Sequence, residues 1–566
     1  MTAASYFGGS GDDELRGVAI GSDGSIFVSG NSSSSELAAL VTTPLAMGEG
    51  FVAKLDGSGS KVLWLSRVPA GGSLKLTAQD EPILITGQKL TKLSADGTSI
   101  SWTGADVGAA IDAFDIAPQG DIALIAGNDV FSFASDGITQ KFRGKTGRSH
   151  AVGVAIDPKS GEVLASGDQN AGYGTCGGPW RSPFIFRYDA TGKQTAKLYD
   201  YPGQAACDEQ LAADSFFTHL RFEPNGELWV TGGSDGGNTV LSRTAGDLSK
   251  NSTALAGACF DSACYGWKGA AAPRFVARVN SAFSDFERAT FIVAHFNKQP
   301  KGCTCDVPQD DGSGARPNSA GLDFVFRTST GDVVGAGSAG WHFPVVDAWY
   351  PAAAYTPGYP AVVSVLDGEL KTMKMATLLP GTGSTQAADY RGGRLVVVGS
   401  APDNSTWVAP AGQEQQAQAV LEPLPAGAPL QAKYGGGKSD GFIYVACVTT
   451  DAECGAAPRP TGGSGGAGST AGAGTTDTAG TTNSGTGTSG GGDGASAAGT
   501  SNSGIAGNVA GNAATSGDSG GCGCAVATPT RARSSIAALA LLGSLGRRRK
   551  RTSARTRARS FARKRI

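Results

Sequence analysis

The chain has little of what enzymes and nucleic-acid binders ordinarily rely on. Only four of its 566 residues are His and four are Met, and charged residues make up 17%. His150, His219, His295 and His342 are far apart and form no HExxH or HxH pair, so a metal centre or a histidine acid–base site has little support. The 86 glycines, low charge and few methionines suit a turn-rich all-β protein, because tight turns need residues that tolerate positive φ. Long helices are not expected. No apolar leader precedes the first β-rich stretch, which begins at Tyr6-Phe7-Gly8-Gly9.

Two motifs spell catalytic signatures without their context. Gly517-Asp518-Ser519-Gly520-Gly521 reads as a serine-protease nucleophile but ends a low-complexity stretch. Gly232-Gly233-Ser234-Asp235-Gly236 fits GxSxG, yet that elbow needs a strand-to-helix turn and no helix is predicted there. The acidic loops Asp12-Asp13-Glu14 and Asp310-Asp311 lack the alternating oxygen spacing of a calcium loop and read as solvated turns. No cofactor or resident metal is expected.

What is present is a repeat. An alternating apolar stretch, a short Asp/Gly/Asn turn and a second β-rich stretch ending in glycine recur seven times, with terminal glycines at Gly30, Gly87, Gly127, Gly167, Gly232, Gly337 and Gly399. Each copy reads as a β-hairpin. A third strand follows: Phe51–Leu55, Leu90–Leu93, Val130–Phe133, Phe184–Tyr188, Phe275–Val279, Ala361–Val365 and Phe442–Val445. A fourth, such as Ser5–Phe7 or Leu63–Leu65, leads into each unit. Four strands in each of seven units is the arithmetic of a seven-bladed β-propeller over residues 1–455, whose ring lets every blade bury both faces.

Tyr6-Phe7-Gly8-Gly9-Ser10-Gly11-Asp12-Asp13, then Val18-Ala19-Ile20, Ser22-Asp23-Gly24-Ser25-Ile26-Phe27-Val28-Ser29-Gly30 and Phe51-Val52-Ala53-Lys54-Leu55, resemble the SBBP repeat, the bacterial β-propeller repeat. Tyr434-Gly435-Gly436-Gly437-Lys438-Ser439-Asp440-Gly441-Phe442 matches that family's lead-in to its last strand. The resemblance implies a propeller of exported bacterial proteins and no common enzymatic activity. Export in turn implies an apolar leader upstream of Met1.

Gly87, Gly127 and Gly167 are 40 residues apart, but Gly232 and Gly337 are separated by 105, so blades 4 to 6 carry insertions. Such loops sit on a propeller's faces and are functional or disordered. Cys176, Cys207, Cys259, Cys264, Cys303, Cys305, Cys447 and Cys454 form an even set in loops or at strand ends, which suits disulfides in an oxidising compartment better than zinc. Trp341, His342, Trp349, Tyr350, Tyr355 and Tyr359 make an aromatic-rich loop, a candidate ligand site that would equally pack onto its blade.

Residues 456–521 are a Gly/Ser/Thr/Ala-rich linker with too few apolar side chains to fold. Residues 522–551 then run Cys522-Gly523-Cys524, preceded by Gly521, an apolar segment Ile536–Leu545, and Arg547-Arg548-Arg549-Lys550-Arg551. That order resembles the MYXO-CTERM sorting tag, which implies processing at Cys522 or Cys524 by a sorting protease and transient membrane retention. A basic tail, 552–566, ends the chain. Residues 531–566 hold thirteen Lys or Arg and no Asp or Glu; with the whole chain at −2, residues 1–530 carry −15. A body that acidic repels nucleic acid.

The sequence therefore favours a monomeric, exported, surface-tethered propeller, a non-enzymatic binding or structural module for a protein or glycan. The competing reading is a propeller hydrolase or lyase with its site at the central channel, which rests on fold analogy.

Overall fold

A computed structural model describes residues 3–448 apart from 172–179, 212, 235–238, 261–273, 293–320, 340–342, 344–345, 351–359 and 404–428. Residues 456–566, expected to be linker, sorting tag and basic tail, lie outside the described residues. So do Cys176, Cys264, Cys303, Cys305, Cys454, Cys522 and Cys524.

Seven antiparallel sheets follow one another around a ring. Blade 1 is Asp13–Ile20, Ile26–Ser32, Gly50–Leu55 and Val62–Val68, with the short parallel strand Thr43–Pro44 added at its outer edge. Blade 2 runs from Leu74–Leu76 to Ile100–Thr103, blade 3 from Ile111–Ile116 to Gln140–Lys145, and blade 4 from His150–Ile156 to Gln194–Tyr199. Blade 5 runs from Ser215–Phe222 to Phe286–Ile292 and blade 6 from Phe324–Arg327 to Met373–Leu378. Blade 7 is Thr385–Arg391, Arg394–Pro402, Ser439–Cys447 and, as its outermost strand, Ala3–Phe7.

The last assignment corrects an expectation. Ser5–Phe7 precedes blade 1 in sequence but pairs with the far end of the chain, Ala3 opposite Val445 and Phe7 opposite Gly441. The fourth strand of a unit likewise completes the blade before it rather than the one after, as Val62–Val68 does for blade 1. The first strand made thus closes the last blade, and no blade is left with an unpaired seam.

Strand periodicity explains why these strands are apolar on both faces. In Ile26–Ser32, Ile26 and Val28 point into the core shared with blade 7, while Phe27 points into the core shared with blade 2. Phe51, Ala53 and Leu55 against Val52 divide in the same way. Successive residues serve opposite neighbours, so each inter-blade layer draws one residue in two from each strand. The largest layer unites blades 4, 5 and 6.

The repeat-ending glycines fall into two mechanical classes. At Gly30, Gly167, Gly232, Gly337 and Gly399, a Cβ would lie 1.8–2.1 Å from a carbonyl oxygen of the preceding segment. In blades 1, 4, 5 and 7 that first strand slips register by one residue at this point, and only a bare Cα allows the approach. Gly87 and Gly127 instead begin the tight turn to the third strand, at φ of 76° and 59°, with open space or loose contact around them. Gly337→Asn should therefore cost about 3 kcal/mol, as a steric conflict with backbone. Gly87→Asn, where Asn tolerates the left-handed region, should cost under about 1 kcal/mol. Urea unfolding of the two variants checks this, and equal losses would mean the glycines share one role.

Candidate functional site

Three constructions concentrate polar chemistry: the central channel, the ring closure and a pocket beside it. In the channel, four charged residues come from corresponding positions of the innermost strands, Lys75 of blade 2, Asp115 of blade 3, Arg221 of blade 5 and Asp389 of blade 7. Lys75 Nζ meets Asp115 Oδ1 at 2.5 Å, with both side chains 6% exposed. Burial pulls the Lys75 ammonium below its usual range, against the pull of Asp115. Burial pushes Asp389 up to about 6, although Arg221 and Lys75 favour its charged form.

The carboxylates stitch blade to blade. Asp115 Oδ2 accepts the Ile156 N–H of blade 4 at 2.8 Å, and Asp389 Oδ2 accepts the Ile20 N–H of blade 1 at 2.8 Å. Glu223 Oε1 accepts the Arg327 N–H of blade 6 at 3.1 Å and Arg221 Nε at 3.2 Å. These bonds satisfy amides at the ends of inner strands, which have no sheet neighbour on the channel side. His219, on the inner strand of blade 5, packs its ring 5.0 Å from Phe324.

The ring closes where the two copies of the glycine-rich motif lie across each other. Asp13 Oδ2 accepts Gly9 N–H at 2.8 Å and Ser34 Oγ at 2.5 Å. In the second copy, Asp440 Oδ2 accepts Gly435 N–H at 2.5 Å and Gln431 Nε2 at 2.9 Å. Asp12 Oδ1 takes Lys438 N–H at 2.7 Å, Ser439 Oγ donates to the Asp13 carbonyl at 3.0 Å, and Tyr6 meets Tyr434 edge to face at 6.0 Å. Burial pushes Asp440 up to about 6, and the nearby Asp13 charge adds to that. Asp13 is 1% exposed, so Asp12-Asp13-Glu14 is not the solvated turn expected of it. Its middle carboxylate is spent on shaping the clasp. The clue was that DD and SD end both motif copies.

The pocket lies at the seam of blades 7 and 1, with a volume of about 390 Å³. Gly21, Gly24, Gly57 and Gly392 line it with bare backbone, and Arg391, Arg394 and the carboxylate of Asp23 supply its charge. Arg394 Nη1 donates to the Gly24 carbonyl at 2.9 Å and Arg391 Nη1 to that of Ile20 at 3.4 Å.

Of the aromatic-rich loop, Trp349 and Tyr350 are described, and both pack against the core between blades 6 and 7. Trp341, His342, Tyr355 and Tyr359 lie outside the described residues. Cys207, in the short helix Gly203–Asp208, and Cys259 are buried, while Cys447 ends the third strand of blade 7. The insertion after Gly232 is not only a surface loop. Its hairpin, Arg243–Thr244 with Asp247–Asn251, leads to Leu255, Cys259 and Phe260 in the main core. The backbone there bonds to Tyr199 of blade 4, Phe291 of blade 5 and Leu370 after blade 6's third strand, which buckles three blades together. Gly232-Gly233-Ser234 ends a strand and buries the Ser234 hydroxyl against Ser215 Oγ at 2.8 Å.

This arrangement defines a seven-bladed β-propeller. No family model matches the chain, and no curated protein matches it either. Among solved structures it is similar to the hydrazine synthase of Kuenenia stuttgartiensis at 10% identity, covering 62% of this chain and 76% of that one, with a TM-score of 0.36. It is similar also to the WD40 β-propeller domain of Doa1 at 9% identity, covering 70% and 94%, again with a TM-score of 0.36. Likeness at that level says nothing of the sites.

Proposed function

We propose that this chain is an exported, surface-tethered propeller of the SBBP type, a monomeric non-enzymatic module that binds a protein or glycan. The observation that carries the reading is the use made of the channel: Asp115, Asp389 and Glu223 each hold a backbone N–H of the next blade. Those carboxylates act as mortar, and recognition falls to the turns and inserts on the ring's faces. Export would place Cys207, Cys259 and Cys447 in an oxidising compartment, where cysteines pair as disulfides. The Gly-Cys-Gly-Cys, apolar and arginine-rich succession at the C-terminus supports sorting by a protease at the membrane, with the linker as tether.

Protease shaving of intact cells, with mass spectrometry of the released chain, tests the reading. The expected product ends near Cys522 or Cys524 and lacks the arginine tail. A chain protected inside the cell and still carrying that tail overturns it.

A further inference from the structure

Arg391 and Arg394 are directly opposite each other across the last turn of a hairpin. Gly392 and Gly393, both at positive φ (56° and 81°), make a two-residue turn too short to let the pair drift apart. Like charges in that register repel. Neither guanidinium has a carboxylate within 4 Å among the described residues, and each spends one of its five donors on a carbonyl of blade 1. Asp23, which lines the same pocket, and the neighbouring Asp80 have partners of their own. Asp23 holds Lys54 Nζ at 3.0 Å and Ser25 N–H at 2.8 Å, and Asp80 takes the Ser22 N–H at 2.9 Å.

Two guanidinium forks with donors to spare among the described residues, held side by side in an otherwise acidic body, suit an oxyanion. Guanidinium forks match carboxylate and phosphate oxygens in pairs. The cavity, about 390 Å³, is at the small end of ligand pockets and suits a body of monosaccharide size. Glycine walls leave main-chain groups at the surface, which favours a polar ligand over an apolar one.

We propose that the pocket between the inner turns of blades 7 and 1 binds an acidic sugar unit, its carboxylate lying across Arg391 and Arg394. The site is independent of where the chain resides, so a failed shaving experiment leaves it standing, and its own failure leaves the surface reading standing.

Calorimetric titration of the full chain at low ionic strength, with glucuronate, glucose and inorganic phosphate as probes, tests it. Glucuronate should bind at one site about tenfold or more tighter than glucose, and Arg391→Gln or Arg394→Gln should each weaken it about tenfold. Arg143→Gln, which removes a guanidinium already paired with Asp129, should change nothing. Arg394 also bridges two blades, so the native chain offers a second measurement: glucuronate should shield Arg391 and Arg394, but not Arg143, from phenylglyoxal. Equal binding of glucose and glucuronate, undiminished binding in both variants, or no shielding overturns the site. Phosphate binding without glucuronate overturns the sugar assignment.

Discussion

Deleting residues 1–7 is expected to leave a chain with no cooperative unfolding transition at neutral pH. The five residues Ala3–Phe7 are all buried, and they form the outer edge of blade 7 in register with Ser439–Cys447. Burying Tyr6 and Phe7 is worth roughly 2–3 kcal/mol each. The two alanines and the lost ladder bonds bring the total to about 6–8 kcal/mol, comparable to the whole stability of many proteins. The deletion also removes Ser5 and Tyr6, whose hydroxyl and N–H hold the backbone of Gln431 beside Asp440, and exposes the third strand of blade 7 as a free edge. A synthetic peptide of residues 1–12, added in excess, should restore the transition by pairing with that edge. Thermal melts followed by circular dichroism read both effects, and an unchanged midpoint in the truncated chain would mean that the ring is not held by this strand.

Lys75→Met should cost about 3–5 kcal/mol, the usual consequence of breaking a buried ion pair from one side. Asp115 is 4% exposed and also serves Ile156 N–H, so it cannot turn to water when the ammonium is gone. The double variant Lys75→Met/Asp115→Asn separates charge from hydrogen bonding. The asparagine carbonyl still accepts from Ile156, but no charge is stranded. It should recover more than half of the loss, measured as free energies of urea unfolding. A double variant no more stable than the single one would show that lysine packing, rather than the stranded carboxylate, sets the cost.

The parts of the fold that depend on neighbours in sequence were legible before any coordinates. The third strands, Phe184–Tyr188 for example, lie within observed strands because period-2 apolar patterning is a local property. Long-range pairings were not. Nothing in Ser5-Tyr6-Phe7 says that its partner is Ile443, and the nearer hairpin looked like its natural home. The channel charges were hidden for a related reason. Lys75, Asp115, Arg221 and Asp389 are each unremarked in their own repeat, and only a comparison of the same position down all the repeats brings them together. Arg391-Gly392-Gly393-Arg394 was visible as a tight turn, whereas its position over Gly24 and Gly57 depends on closure of the ring. The insertion after Gly232 misled in the opposite direction. Its length suggested a loop on the propeller's face, yet Phe260 is fully buried among blades 4 to 6.

Closing the circle with the first strand sets a timetable for biosynthesis. Residues 3–7 leave the ribosome long before residues 439–447 exist. At about 5–20 residues per second, the delay is on the order of 20–90 s. Throughout it, blades 1 to 6 can stack one on the next, while the opening segment, Tyr6 and Phe7 included, waits as a sticky end with no proper mate. Any chaperone or secretion machinery that handles this polypeptide meets an open arc rather than a ring, and the release of that segment is the event that marks completion.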